Sequence, residues 1–334
     1  MSRAMYGIEP RNTVVFERVT VLNFGVRQNM RNLPIKLQLP NDFLKDEVRD
    51  GYDVSEKHKK IWAIELDLLW ELLRVCQKHD IKCSLAFGSL IGAVRHKGFI
   101  PWDDDFDVMF ERTEYEKLLS VGPNEFKHPY FLQYALSDRK KFCPLARLRN
   151  SLTTGYVAGD PVEGYNSGIY LDLYVFDANP RMRLFYILKY FLKRIAVKCM
   201  NFYYEDKPRK KGVTERIVRL ARPLVRMISY ERCWRIYSYI MSLHNRSESR
   251  RCHMLTAKFN GQKTWIDKDD MFDIVWVPFE FVEVPVVRNY HELLTRSYGD
   301  YMAFPPASER GKWHGGTIHY EPDIPYEQYL GSRK

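Results

Sequence analysis

Four aspartates fall within five positions of the stretch "GSLIGAVRHKGFIPWDDDFDVMF", which runs from Gly88 to Phe110, and their neighbours Ile100, Phe106, Val108 and Phe110 are apolar. Ionised carboxylates this close repel one another, and each resists leaving water unless a cation or a basic side chain compensates it. Positive charge is therefore expected beside a segment that also belongs to the core.

The residues around the aspartates predict how they are presented. A short apolar strand, "CSLAF", follows the turn-like "HDIK". Gly88-Ser89 then introduces "LIGAVRHKG", which reads as a helix closing at Gly98. Pro101 stops further helix, and "DDFDVMF" alternates charged with apolar residues. Asp105 and Asp107 are thus expected on one face of a strand, with Phe106 and Val108 on the other. In "GIYLDLYVFDANP", Ile169, Leu171, Leu173 and Val175 share one face, and Tyr170, Asp172 and Tyr174 the other. That is a second strand with a lone central carboxylate.

Hard divalent cations such as Mg²⁺ are held by one or two carboxylates plus the oxygens of a substrate phosphate. Asp105 and Asp107 on one strand, with Asp172 on another, would provide that half-shell. Gly88 and Ser89 at a helix start would offer unpaired N–H groups and a hydroxyl to a phosphate. Arg95, two turns along, would reach a second phosphate with a forked pair of hydrogen bonds. Each feature has a plainer reading: an Asp-rich turn is more often a solvated loop, a lone arginine a surface ion pair, and Tyr170 and Tyr174 half-buried sheet residues.

The combination is more specific than its parts. "GSLIGAVRHKGFIPWDDDFDV", then "GIYLDLYVFD", then "YGDYMAFPP" with Arg310 and His314 beyond it, resembles the LicD family of phosphocholine transferases, related to the fukutin proteins, over roughly residues 55 to 315. The resemblance implies an α+β fold: a nucleotidyltransferase-like mixed β-sheet core flanked by helices, with an added basic helical region. It implies Asp105, Asp107 and Asp172 as catalytic and metal-holding residues, and Gly88, Ser89, Arg95, Arg310 and His314 as donor-binding residues. Asp177 falls on a second family aspartate, for which a structural role is expected. The implied cofactor is Mg²⁺ (or Mn²⁺). The implied reaction moves a phospho-alcohol, phosphocholine first, from a CDP-alcohol donor such as CDP-choline to a hydroxyl of a cell-surface glycan or lipid-linked glycan acceptor (lipopolysaccharide, capsule or teichoic acid precursor), releasing CMP. Two alternatives stay open: a nucleotidyltransferase that uses an NTP and releases pyrophosphate, and a non-enzymatic nucleic-acid-binding protein. A nucleic-acid partner is not expected.

The rest of the chain sets bounds. With 334 residues, 45% apolar and 14% aromatic, it can bury one large core or two modest ones. Its six cysteines form no C-x-x-C pair and read as thiols in a reducing cytosol. No uncharged apolar run approaches the ~18 residues that span a bilayer, and the start lacks a signal-peptide core. A cytoplasmic location, with possible peripheral association at the inner face of the plasma membrane, is expected. The net charge is +10, but residues 181–251 hold 19 Lys and Arg against 5 Asp and Glu, a net +14, and the remainder sums to −4. A basic block of that size invites an anionic partner, although such a face is as often merely solvated.

Apolar residues at three- and four-residue steps predict a helix from Ser55, as N-cap, to His79. Further expectations are a short hairpin or irregular extension over 13–40, a helix over Thr113–Leu119, and strands near Tyr130–Tyr134 and Leu145–Arg149. Two or three basic helices are expected over 181–246, strands over 274–287 and a last helix ending near Gly299. The implied division is an N-terminal extension (1–54), a catalytic core (55–180), a basic helical region (181–251) and a C-terminal part completing the core (252–334).

Overall fold

Ser55 opens the first long helix. Its Oγ accepts the backbone N–H of His58, while the Ser55 N–H donates to the His58 ring, so a histidine closes the capping box in place of the usual Glu or Gln. In this computed structural model, which describes residues 33–180, 182–203, 223, 225, 227–246, 250–254, 265–311 and 317–332, that helix is α1 (Glu56–Lys78). It follows a hairpin of β1 (Glu47–Arg49) and β2 (Tyr52–Val54). The expected hairpin over 13–40 lies mostly outside the described residues, as do His314 and the middle of the basic region.

Ile61, Ile64, Leu66, Leu68, Leu69, Leu72 and Val75 are all buried, so α1 is packed around most of its circumference. Trimming any one of its central leucines to alanine costs about 2–5 kcal/mol. Three acids are buried with them: Glu65, Asp67 and Glu71. Asp67 Oδ1 accepts the N–H groups of Lys36 and Leu37, each at 2.8 Å, and the Tyr130 hydroxyl donates to Oδ2. The fork of Arg74 answers Glu71. Glu65 belongs to the site described below.

After α1 come β3 (Ser84–Leu85), α2 (Phe87–Ile91), β4 (Asp107–Glu111), α3 (Arg112–Glu125), β5 (Tyr130–Gln133), β6 (Ala146–Asn150), β7 (Thr154–Val157) and β8 (Ile169–Ala178). The longest strand, β8, runs through the middle of a seven-stranded mixed sheet. It pairs parallel with β4, antiparallel with β6, and at its end with β9 (Arg251–His253), which pairs in turn with β10 (Ile266–Asp267). Between β8 and β9 stand α4 (Arg183–Asn201) and α5 (Tyr230–Ser242), which close a separate small core around Ala196, Met200, Trp234, Tyr237 and Met241. A hairpin of β11 (Ile274–Phe279) and β12 (Val282–Val287) joins the main core, where the Val287 N–H donates to Ser84 Oγ. Then α6 (Tyr290–Tyr298) ends at Gly299, β13 (Ile318–Glu321) pairs with β7, and α7 (Tyr326–Gly331) follows.

The fold is α+β, as expected, with two local corrections. The helix expected to run from Gly88 to Gly98 is α-helical only to Ile91, then winds as a π-turn over Gly92–His96 and stops at Lys97, whose φ is 54°. The wide turn is possible because Gly92 has no Cβ: one there would sit 2.6 Å from the Gly98 carbonyl. The strand carrying the aspartates starts at Asp107, so Asp105 lies in the preceding loop. Its register is set by β8: the Asp172 N–H donates to the Phe106 carbonyl, and Asp107 stands opposite Asp172.

Asp177 is structural. The guanidinium of Arg112 makes a two-pronged pair with its carboxylate inside the protein, one prong at 2.8 Å, and the half-buried Asn245 donates to the same oxygen. None of the described cysteines is in a disulfide.

Candidate active site

The loop from Lys97 to Phe106 is held at both ends. The Glu280 N–H donates to the Lys97 carbonyl at 2.7 Å. Its Oε1 accepts from the Phe99 N–H and from Arg49, and occupies the space a side chain at Gly98 would need. Phe99 lies flat on Trp62 of α1, ring centroids 4.7 Å apart, and both Phe99 and Phe106 meet the edge of Phe279. The Tyr320 hydroxyl donates to the Asp104 carbonyl. Apolar anchors on each side thus fix a turn whose side chains are acids.

Asp103, Asp104 and Asp105 bring carboxylate oxygens within 4.8 Å of one another. Gly88 gives Asp103 its place, since a Cβ there would come 2.5 Å from Asp103 Oδ2. Gly88 therefore admits an acid to the start of α2, and Ser89 Oγ accepts the backbone N–H of Asp107 at 2.8 Å. The Gly-Ser pair serves to position carboxylates.

Asp107 is buried, and its Oδ1 has no hydrogen-bond partner among the described residues. Burial, then the charges of Asp105, Asp172, Asp103 and Glu65, hold its carboxyl well above the usual range. Glu65 reaches the same place from α1. It is 1% exposed, its Oε2 has no partner among the described residues, and burial followed by Asp105, Asp104 and Asp103 raises it likewise. Asp172 is different: Arg147 Nε donates to its Oδ1 at 2.7 Å, and the guanidinium lies 4.1 Å over the Tyr170 ring. Burial pulls Arg147 down, and Asp172, with smaller contributions from Tyr170 and other neighbours, more than reverses that. The Tyr174 and Tyr298 hydroxyls are raised by burial first and then by the charges of Asp107 and its neighbours.

Arg95 turns to the segment after α6. It donates from Nη1 to the carbonyls of Tyr301 and Ala303 and from Nε to the His96 ring, whose other nitrogen faces Asp50 at 2.7 Å. Arg310 donates to the carbonyls of Pro305 and Asp50 and lies 4.6 Å over Trp102, with Phe304 alongside both arginines. Burial pulls Arg95 down, Asp50 and Asp103 oppose that, and Arg310 adds to it, so the two arginines and the acids share one neighbourhood.

The structure thus brings together Asp105, Asp107 and Asp172, with Gly88 and Ser89 behind them and Arg95 and Arg310 to one side. Glu65, Asp103, Asp104, Arg147 and Tyr298 join that set without having been expected. Arg147 had a signal, since Arg147 and Arg149 alternate along "ARLRN" as one polar face of a strand. Glu65 had none, because its helix places it among leucines.

Residues 80–145, which hold the Gly-Ser pair, Arg95 and the four aspartates, match the family described as LicD/FKTN/FKRP, nucleotidyltransferase domain. The lipopolysaccharide cholinephosphotransferase LicD of Haemophilus influenzae is 28% identical over 255 residues, covering 75% of this chain and 92% of that protein. The chain is thus similar to the LicD family, in a matched domain and along most of one relative. Shorter matches join it to an uncharacterized protein of Rickettsia prowazekii, 33% identical over 30% of this chain and 37% of the relative. A Rickettsia typhi protein is 39% identical over 20% of each chain. Glu65, Arg147 and Asp172 lie outside the 80–145 match, so the acidic site is completed by elements on both sides of it.

Proposed function

We propose that this protein is a divalent-cation-dependent phosphotransferase that moves a phospho-alcohol, phosphocholine first, from a CDP-activated donor to a hydroxyl of a cell-surface glycan precursor, with CMP as leaving group. The cholinephosphotransferase among its relatives supports the transfer and the lipopolysaccharide-type acceptor. The observation that carries the reading is Asp107 Oδ1, unpartnered among the described residues and buried opposite Asp172 amid further acids.

That donor set fits Mg²⁺ or Mn²⁺: it offers only hard oxygens, two of them orphaned inside the protein, and its crowding would be relieved by a cation. Asp105 and Asp107 would hold the ion, with Asp103 and Asp172 beside them. When bound, the ion would neutralise charge growing on the leaving diphosphate oxygen. Asp172, kept in place by Arg147, would complete the set or accept the proton of the attacking hydroxyl. Ser89 would keep Asp107 in line through its backbone, while Arg95 and Arg310 would orient donor phosphates. Positioning and electrostatics would supply most of the acceleration. The arrangement of Asp107 and Asp172 on adjacent parallel strands behind a Gly-Ser turn also supports a nucleotidyltransferase-like core.

The test is a panel of CDP-alcohols (choline, ethanolamine, ribitol, glycerol) with Mg²⁺ or Mn²⁺, with and without candidate glycans. CMP release that requires the acceptor and the metal is expected. Pyrophosphate from an NTP, with no CMP from any CDP-alcohol, would overturn the reading in favour of nucleotidyl transfer.

A further inference from the structure

The helix α4 is built the wrong way round for a surface helix. Its inward side carries Lys189, 2% exposed, whose Nζ donates to the Ala178 carbonyl at 2.8 Å and which burial pulls down to about 8. Ala196 and Met200 complete that side. Its outward side carries Leu184, Leu188, Phe191 and Ile195, at steps of four, three and four residues, so they form one stripe. Leu184 is 67% exposed and Phe191 59%, and Phe185 and Ile187 widen the stripe. A helix whose apolar face served the fold would show the reverse. The neighbouring α5 adds exposed Ile236 and Tyr239, and Leu243 follows at its C-terminal end, again at steps of three and four.

We infer that this face docks on an anionic phospholipid surface. The apolar stripe is bordered by Arg194 and Lys198, α4 contains no acid, and α5 contains only Glu231. The whole region carries a net +14. An interfacial helix has that composition: apolar side chains enter the acyl boundary while long basic ones reach the headgroups. Charge argues against the other occupants. A second copy would set +14 against +14. Residues 204–222 carry seven basic side chains against three acids, and residues 1–32 five against two, so neither segment complements the face. The inference stands apart from the proposed chemistry, because it uses no residue of the acidic site.

The test uses the full chain and vesicles of phosphatidylcholine with and without phosphatidylglycerol. At low salt, partition onto the anionic vesicles is expected to exceed that onto neutral ones by about tenfold or more, and salt should reverse it. Leu188→Ser with Phe191→Ser should lower partition by about tenfold or more, with unchanged melting temperature. Val48→Ser, at an exposed apolar residue in the β1–β2 hairpin, should have no effect. Phe191→Trp should gain an emission component quenched by brominated lipid. Equal partition on both vesicles at low salt, full binding by the double variant, or an added emission in the Phe191→Trp protein that brominated lipid leaves unquenched would each overturn the inference. So would a solution dimer that the double variant turns into a monomer.

Discussion

Replacing Asp107 with Asn keeps the side chain's shape and removes the charge that the site strains to hold. A buried polar group without a partner costs about 1–3 kcal/mol, and more when charged. The metal-free variant should therefore be more stable than the parent by about 1–3 kcal/mol at neutral pH. For a domain of this size class each kcal/mol moves the melting temperature by roughly 2–4 °C. The pH dependence follows from the raised carboxyl of Asp107. A group raised in the folded state contributes its full stability below its ordinary range and loses it as pH rises through the raised value. The variant escapes that loss, so the two proteins should melt alike near about pH 4 and diverge toward neutrality.

A divalent cation should invert the order. Mg²⁺ or Mn²⁺ would stabilise the parent by relieving the same repulsion, and the variant little, so the parent should melt higher once metal is added. Turnover, read as CMP release, should fall by about 10²-fold or more. Thermal melting across pH with and without metal, beside the turnover assay, measures all of this. A variant that melts below the parent without metal at neutral pH would show a structural hydrogen-bonding role for Asp107. A retained metal-induced shift, or near-parental turnover, would refute the ligand assignment.

Three further changes separate the site from its scaffold. Asp177→Ala should cost about 3–5 kcal/mol in urea unfolding, because it leaves Arg112 buried and unanswered, and a loss under about 1 kcal/mol would contradict that. Arg147→Met uncovers Asp172, so the metal-free protein should melt lower while the shift on adding Mn²⁺ grows. An unchanged Mn²⁺ shift would mean that Arg147 and the cation do not share Asp172. Gly88→Ala pushes against Asp103 Oδ2, and Mn²⁺ affinity by calorimetric titration should weaken about tenfold with melting nearly intact. Parental affinity would remove Asp103 from the cation's surroundings.

Local patterns in the sequence carried most of the framework. The three- and four-residue steps of α1, the alternation along β8 and the run at 274–287 each have a period that one face of a neighbour must satisfy, and all three form where the period places them. The Asp107–Asp172 pairing was half legible: each strand could be read, but their parallel register is a property of the sheet. The π-turn was not legible, because "GAVRH" has ordinary helical spacing and its winding depends on the Gly98 carbonyl packing where Gly92 has no Cβ. Glu65 was hidden for a related reason, since burial of a carboxylate on a leucine-rich face depends on which acids arrive from the loop opposite.

Helix α4 shows why periodicity alone leaves a surface undecided. "RLFYILKYFLKRIAVKCM" is amphipathic on paper, and two packings satisfy it: leucines against the core with lysines in water, or the reverse. Lys189 decides between them, because the carbonyl of Ala178 at the end of β8 offers an acceptor and the nearby Asp177 a negative charge. Holding a lysine inside is unfavourable unless it is hydrogen-bonded, and that anchor is available only on the sheet side. Once Lys189 is drawn in, the helix period forces Leu184, Leu188, Phe191 and Ile195 outward together. The same residues thus settle both how the basic region joins the sheet and which apolar face it leaves exposed.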